Sequence, residues 1–400
     1  MAPDDLAGHV RTARERVVDL CARLVRAPSM TGKEGPVAEL VRIEMQTLGL
    51  DTSIDAAGNV IGCLPGHGDS GRSVMLHAHM DIVDPGEAQR WTYGPYAGEI
   101  AEDQIWGRGA VDDKGCIAAQ IYALGLLREA RIVPPGDLYV AAVVGEEIGG
   151  LGSRFLVEQM QPDLAIIGEP SNNTLRRGHR GRFEFIVTLH GRSAHASIPH
   201  EGRNPHYAMS RFLLALREAP MAQDADFGAT TVVPTLAYVD QVSSNVIPAA
   251  LSVHLDWRNA PGETVPQARA LIERLLADTA EPGITSEVRI ATREVHSYTG
   301  MQETIEHAVT PFWIAKHDPR LVAAQEAVSQ ALGRQIPVEV WPFFTDGGFL
   351  HAAGIPCIGF GPGDPAMAHV VDERLPIAQL LDATAGYMAL ALRLGDASVW

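Results

Sequence analysis

Leu138-Tyr139-Val140-Ala141-Ala142-Val143-Val144 is an unbroken apolar run, and Gly145-Glu146-Glu147 follows it at once. The run is far short of the ~20 apolar residues a membrane helix needs. It reads instead as a strand covered on both faces. Residues 59–64, 74–79 and 164–167 read as further strands of the same kind. Between them, residues 13–25 and 37–48 carry apolar side chains at helical spacing, and 114–130 reads as a helix whose apolar face includes Ile117, Ile121, Leu124 and Leu127. Helices alternating with buried strands give an α/β layer with a mixed, mostly parallel sheet.

From Arg182 the rhythm changes. Residues 183–190 form a strand signal, and Asn204-Pro205 supplies an N-cap followed by proline at the first helical position, with the helix running to Glu218. Strand signals at 230–239 and 251–257, a helix from Glu263-Thr264 to Asp278 and a strand at 286–292 complete the order β-α-β-β-α-β. That order is the ferredoxin-like split pattern, a complete α+β domain. After it come a strand signal at 357–360 and a final helix from Pro376. The expected architecture is a catalytic α/β/α sandwich, residues 1–180 and 296–400, interrupted by an inserted lid domain at 181–295.

Composition limits the partners. The 400 residues hold 32 Lys+Arg against 49 Asp+Glu, a net charge of −17, which disfavours phosphate backbones and anionic membrane surfaces. No nucleic-acid or membrane partner is expected. The opening Met1-Ala2-Pro3-Asp4-Asp5 is acidic and is not followed by the apolar core of a secretory signal. Cys21, Cys63, Cys116 and Cys357 form no Cys-x-x-Cys pair and read as reduced, small apolar residues, so a cytoplasmic location is expected. The chain's 15 histidines lie among many carboxylates, the nitrogen and oxygen ligand set of zinc and its neighbours.

Five segments carry the chemistry. In Leu76-His77-Ala78-His79-Met80-Asp81, His79 and Asp81 point to the same side of an extended chain, so the carboxylate can fix the imidazole tautomer; His77 shares that alternation and competes with His79. Gly107-Arg108-Gly109-Ala110-Val111-Asp112-Asp113 leads into a helix, and an N-cap role accounts for one of the two aspartates but not both. Glu146 and Glu147 end the buried strand that opened this section; neighbouring side chains diverge in extended chain, so one could bind a cation while the other faces a reacting water. Glu169 ends another buried strand, and His369 stands in the polar loop Met367 to Glu373. Strand exits of an α/β layer are where ligands sit.

In combination these segments resemble the co-catalytic zinc metallopeptidase family (clan MH) of acetylornithine deacetylase, succinyl-diaminopimelate desuccinylase, aminoacylase and the glutamate-releasing carboxypeptidases. The resemblance spans nearly the whole chain. It implies two Zn2+ per subunit, with Co2+ or Mn2+ as possible substitutes, one held by His79 and Glu169, the other by Glu147 and His369, with Asp112 bridging them. Asp81 would orient His79, and Glu146 would be the general base acting on a metal-bridging water. Gly191-Arg192-Ser193-Ala194-His195 resembles the segment whose histidine stabilises the oxyanion. Arg258 and Asn245 match positions that contact substrate, Arg258 through a fork suited to a carboxylate. Gly347-Gly348 resembles the glycine loop under the substrate, where Thr345 alone supplies the hydroxyl that the family often has in greater number.

The implied activity is hydrolysis of the amide bond of an N-acyl amino acid, in a homodimer formed through the lid. A dipeptidase or carboxypeptidase of the same family is the alternative, followed by a non-catalytic binding protein and a metal phosphoesterase. His200-Glu201 lacks the second histidine of a His-Glu-x-x-His helix, Gly145 to Gly152 fits no dinucleotide fingerprint, and no Gly-x-Ser-x-Gly elbow occurs.

Overall fold

The computed structural model describes residues 3–68 and 71–400; Met1 and Ala2 of the acidic opening, with Asp69 and Ser70, lie outside the described residues. The chain divides into two compact units, one of residues 1–179, 294–304 and 312–400, the other of 180–293 and 305–311. The chain enters the smaller unit at Arg180 and leaves it after Arg293, and residues 305–311 return to it, where Ala308–Val309 pairs with Arg182 and Phe183.

The larger unit begins with helices α1 (Pro3–Arg26) and α2 (Gly35–Thr47), then strands β1 (Asp51–Ile54), β2 (Val60–Leu64) and β3 (Val74–His79). Helix α3 (Lys114–Glu129), β4 (Leu138–Val143), α4 (Leu151–Gln159), β5 (Leu164–Ile167) and β6 (Leu175–His179) follow. The smaller unit has β7 (Arg182–His190), α5 (Pro205–Glu218), β8 (Thr231–Val239), β9 (Ala250–Arg258), α6 (Val265–Asp278) and β10 (Thr285–Ile290). The chain closes with β11 (Phe312–Trp313), α7 (Pro319–Leu332), β12 (Val338–Trp341), α8 (Gly347–Ala352), β13 (Cys357–Gly359) and α9 (Ile377–Leu394).

The large sheet runs β1-β2-β4-β3-β5-β13-β6-β11, with β12 added on β6. Its centre, β4-β3-β5-β13, is parallel, and antiparallel pairs flank it on both sides. Alternation along each strand decides the layers. Val74, Leu76 and Ala78 of β3 join Val140 and Ala142 of β4 in a core with α1, α3, α7 and α9. Met75, Ala141 and Val143 face the opposite way, onto Leu156 of α4 and Leu350 of α8. The sheet is thus covered on both faces, which is why its strands read as continuous apolar runs. Helix α1 begins well before residue 13 because Leu6 and Val10 extend its buried stripe at helical spacing.

In the smaller unit the strand order is β8-β9-β7-β10, all antiparallel, the expected split β-α-β arrangement. Phe183, Phe185, Val253, Leu255 and Trp257 of one sheet face form its core with Phe212 of α5 and Ile272 of α6. Burial of each such side chain stabilises by about 1.5–3 kcal/mol. The Asn204 side chain caps α5 by accepting from the His206 amide at 3.0 Å. All four cysteines are free thiols, three of them buried. Among the described residues no helix is long and apolar enough to cross a membrane.

Candidate metal centre

The parallel strands β3, β4 and β5 all point their C-terminal ends at one place. His79 is the last residue of β3. Gly145, just past β4, takes φ +73°, a left-handed conformation that suits glycine, and turns the chain into a single 3-10 turn, Glu146–Ile148. The two glutamates diverge because of this turn, not because the chain is extended as the sequence suggested. Glu169 follows β5 after Gly168.

Asp112 is the hub. Its Oδ1 lies 2.9 Å from His79 Nε2 and its Oδ2 3.1 Å from His369 Nε2. Around His79 stands Glu169, 3.9 Å away, and around His369 stands Glu147, at 3.0 Å. Two three-residue donor groups result, His79-Asp112-Glu169 and Asp112-Glu147-His369, each with donor atoms within 4.8 Å of one another. His79 Nδ1 faces the Asp81 backbone carbonyl at 3.0 Å, an arrangement that would leave Nε2 to ligate a metal. The Asp81 carboxylate lies 3.4 Å from His79 Nδ1 and is bonded elsewhere as well. Its Oδ1 accepts from the Glu146 amide and its Oδ2 from the Glu147 amide and the Thr31 hydroxyl, at 3.0, 3.2 and 2.7 Å, so it fixes the glutamate turn as well.

The electrostatics fit a cation site. Burial drives the carboxyls of Glu146, Glu147 and Glu169 above their ordinary range, and the neighbouring Asp112 adds to each. Burial opposes ionisation of Asp112 too, yet the two imidazoles hold it below the usual carboxylate range. Hydrogen bonds to Asp112 and Glu147 raise His369 to about 10. These shifts favour protons on the cluster, and bound cations would take their place. Nitrogen and oxygen donors of this kind suit zinc, cobalt or manganese.

Three further residues support the cluster. Asp113 does not cap α3 with its side chain; its Oδ2 accepts from the His79 amide at 3.1 Å. Of the two aspartates, Asp113 is the one at the N-cap of α3, by position and without a side-chain cap. Glu373, fully buried, accepts from the amides of Val111 and Asp112 at 2.8 and 3.1 Å and pairs with Arg108 at 2.6 Å. It holds the Asp112 loop from the far end of the chain. Arg108→Ala would leave that carboxylate buried without its charge partner, so a loss of about 3–5 kcal/mol is expected. Denaturant unfolding checks it, and a change within 0.5 kcal/mol, roughly the effect of a neutral surface substitution, would contradict this role.

The other expected residues are placed as follows. His77 is not in the donor groups; its Nε2 meets Ser153 Oγ at 2.7 Å, and that hydroxyl donates to Asp346. Gly347 and Gly348 form no loop. They are buried and open helix α8, and Thr345 Oγ1 accepts from the Gly347 amide, so the expected pocket hydroxyl is turned inward. In the smaller unit His195 is exposed with Nδ1 2.7 Å from Ser197 Oγ. The Asn245 backbone carbonyl accepts from the Ala196 amide, and its side-chain oxygen accepts from Ser243. Arg258 lays its fork on Asp256, at 2.6 and 3.2 Å, rather than leaving it open.

A cavity of about 240 Å3 opens on the cluster, lined by Asp112, Glu146, Glu147, Glu169 and His369 together with Phe343, Phe344, Pro365 and Ala368. Glu146 is buried in its wall without belonging to either donor group. The two aromatic residues had no signal in sequence beyond their nearness to Thr345.

The model of peptidase family M20/M25/M40 matches residues 75–393. The uncharacterised protein YgeY of Escherichia coli K12 is 30% identical over 377 residues, 92% of each chain. The succinyl-diaminopimelate desuccinylase of Paracoccus denitrificans is 34% identical over 279 residues, covering 66% of this chain and 72% of that protein. The crystal structure of aminopeptidase PepT from Bacillus cereus superposes with a TM-score of 0.78 at 21% identity, over 95% of this chain and 98% of that one.

Proposed function

This chain belongs to peptidase family M20/M25/M40 and is a metal-dependent amide-bond hydrolase, and we propose that its substrates are N-acyl amino acids. The observation that carries the reading is the pair of donor groups sharing Asp112. We assign His79 and Glu169 to one zinc ion, Glu147 and His369 to a second, and Asp112 to both. Two such ions, when bound, polarise a carbonyl oxygen and bring the pKa of water toward neutrality.

The chain's own groups then move the proton. Glu146 stands in the cavity wall, and burial raises its carboxyl above the ordinary range, the direction that makes a carboxylate a stronger base. It takes the proton of the attacking water and delivers it to the leaving amine. Asp81 keeps the Glu146 backbone in place through its amide. His195 is assigned as a donor to the developing oxyanion, since Ser197 engages Nδ1 and the ring is exposed. Arg258 is assigned to the substrate carboxylate, which would exchange with Asp256 for its fork, and Asn245 to substrate contact. A screen of N-acyl amino acids and dipeptides on metal-reconstituted protein tests the proposal. Acyl-amino-acid hydrolysis that a chelator abolishes is expected; cleavage of dipeptides alone would transfer the assignment to a dipeptidase.

A homodimer through the smaller unit is part of the same proposal. Strand β8 is an edge strand, and Val233, Leu236 and Tyr238 are 53%, 50% and 56% exposed on it. An exposed apolar edge is a template for pairing with a second chain. Sedimentation is expected to give a dimer for the native chain and a monomer for Leu236→Asp/Tyr238→Asp. A monomeric native chain would contradict it.

A further inference from the structure

Resting on the reading of an amide hydrolase above, we propose that the substituent lodged against Phe343 and Phe344 is uncharged and apolar, an aliphatic or aromatic group and not a carboxylate. The wall is built from elements anchored on both sides. Phe343 stacks on Trp341 at 5.8 Å between ring centroids, and Trp341, itself buried, donates through Nε1 to the Pro170 carbonyl at 2.9 Å. On the other side the Thr345 amide donates to His179 Nε2 at 3.0 Å, and His179 sits edge-on to Phe312. The two phenyl rings are therefore presented by a pre-organised segment, as an apolar subsite requires.

The remaining apolar lining is Pro365 and Ala368, and among the described residues lining the cavity there is no Lys, Arg, Asn or Gln. The one nearby hydroxyl, Thr345, is buried and turned to the Gly347 amide. Four carboxylates complete the lining, enough to balance the charge of two dications. A second carboxylate entering here would lose its hydration against Phe343, Phe344, Pro365 and Ala368, none of which carries a charge to offset that cost. The amino-acid carboxylate of a substrate is excluded from this cavity by the same argument, so the group lodged here is the acyl chain or the amino-acid side chain. At about 240 Å3 the space lies below the ~300 Å3 at which pockets for larger ligands begin, which suits one such group. The succinyl group named for several relatives is of the disfavoured kind.

Two matched substrate pairs test this on the metal-loaded full chain: N-pentanoyl- against N-succinyl-leucine, and N-acetyl-leucine against N-acetyl-aspartate. The apolar member is expected to lead in kcat/KM by about 10–200-fold or more in at least one pair, the range that apolar pocket contacts give. Phe344→Arg is expected to reduce that ratio at least tenfold by supplying a cation, as judged on protein whose thermal melt shows it folded. Phe344→Leu, which keeps the wall apolar, is expected to retain most of it and serves if the arginine variant does not fold, with Phe343→Arg as its charged counterpart. Equal or faster turnover of the carboxylated member in both pairs would overturn the inference, as would ratios that neither arginine variant changes. Either result leaves the amidase assignment standing. Hydrolysis of none of the four would overturn both.

Discussion

Asp112→Asn is expected to lose metal from both positions and to reduce kcat/KM by roughly 10⁴-fold or more, the scale on which metal-assisted hydrolysis exceeds what binding alone supplies. Each Asp112 oxygen faces a different histidine, Oδ1 toward His79 and Oδ2 toward His369. Asparagine keeps the shape but offers an acceptor on one side only and an NH2 donor on the other. It removes a negative charge from the one carboxylate that the two imidazoles hold ionised against burial. Metal analysis of the purified variant, beside a melting curve, checks the result. Two retained equivalents with near-native turnover would contradict the assignment of Asp112 to both groups.

Glu146→Gln is expected to behave differently: metal content and fold are kept, and kcat falls by about 10²–10⁴-fold or more. The residue lies in the cavity wall outside both donor groups, and its backbone amide remains bonded to Asp81 whatever the side chain is. Glutamine fills the same volume yet cannot accept a proton at neutral pH. Steady-state turnover with metal analysis on the same sample separates this outcome from loss of the cations. Turnover within a few-fold of native would move the general base to another group.

The parts of the fold that could be read from sequence were those buried on both faces. Strands β3, β4 and β5 are continuous apolar runs because the sheet carries helices on either side. Strand β6 escaped notice although it is wholly buried, since its sequence Leu-Arg-Arg-Gly-His looks polar. Its arginines are accommodated individually, Arg176 by Glu339 and Arg177 by the Ile314 carbonyl. Strand β1 was hidden for the opposite reason, being largely exposed and without an apolar face.

The same division runs through the site. His79, Glu146, Glu147 and Glu169 were visible because each polar residue breaks or ends an apolar strand. The roles of Asp113, Arg108 and Glu373 were not, because they act through backbone amides and a buried ion pair that joins positions 265 residues apart. His77 shows the limit of alternation as a guide. It lies on the same side of β3 as His79, one pair of residues deeper, and there it meets Ser153 instead of the donor groups.

The central claim is that two cations shared through Asp112 make this chain an amidase. Its most direct test strips the full-length protein with a chelator and returns zinc stepwise, following bound metal by native mass spectrometry and hydrolysis of an N-acyl amino acid in the same samples. Binding of two ions per chain, with hydrolysis rising as they bind, is the predicted result. Saturation without bound metal above background, or hydrolysis undiminished in the stripped protein, would contradict it.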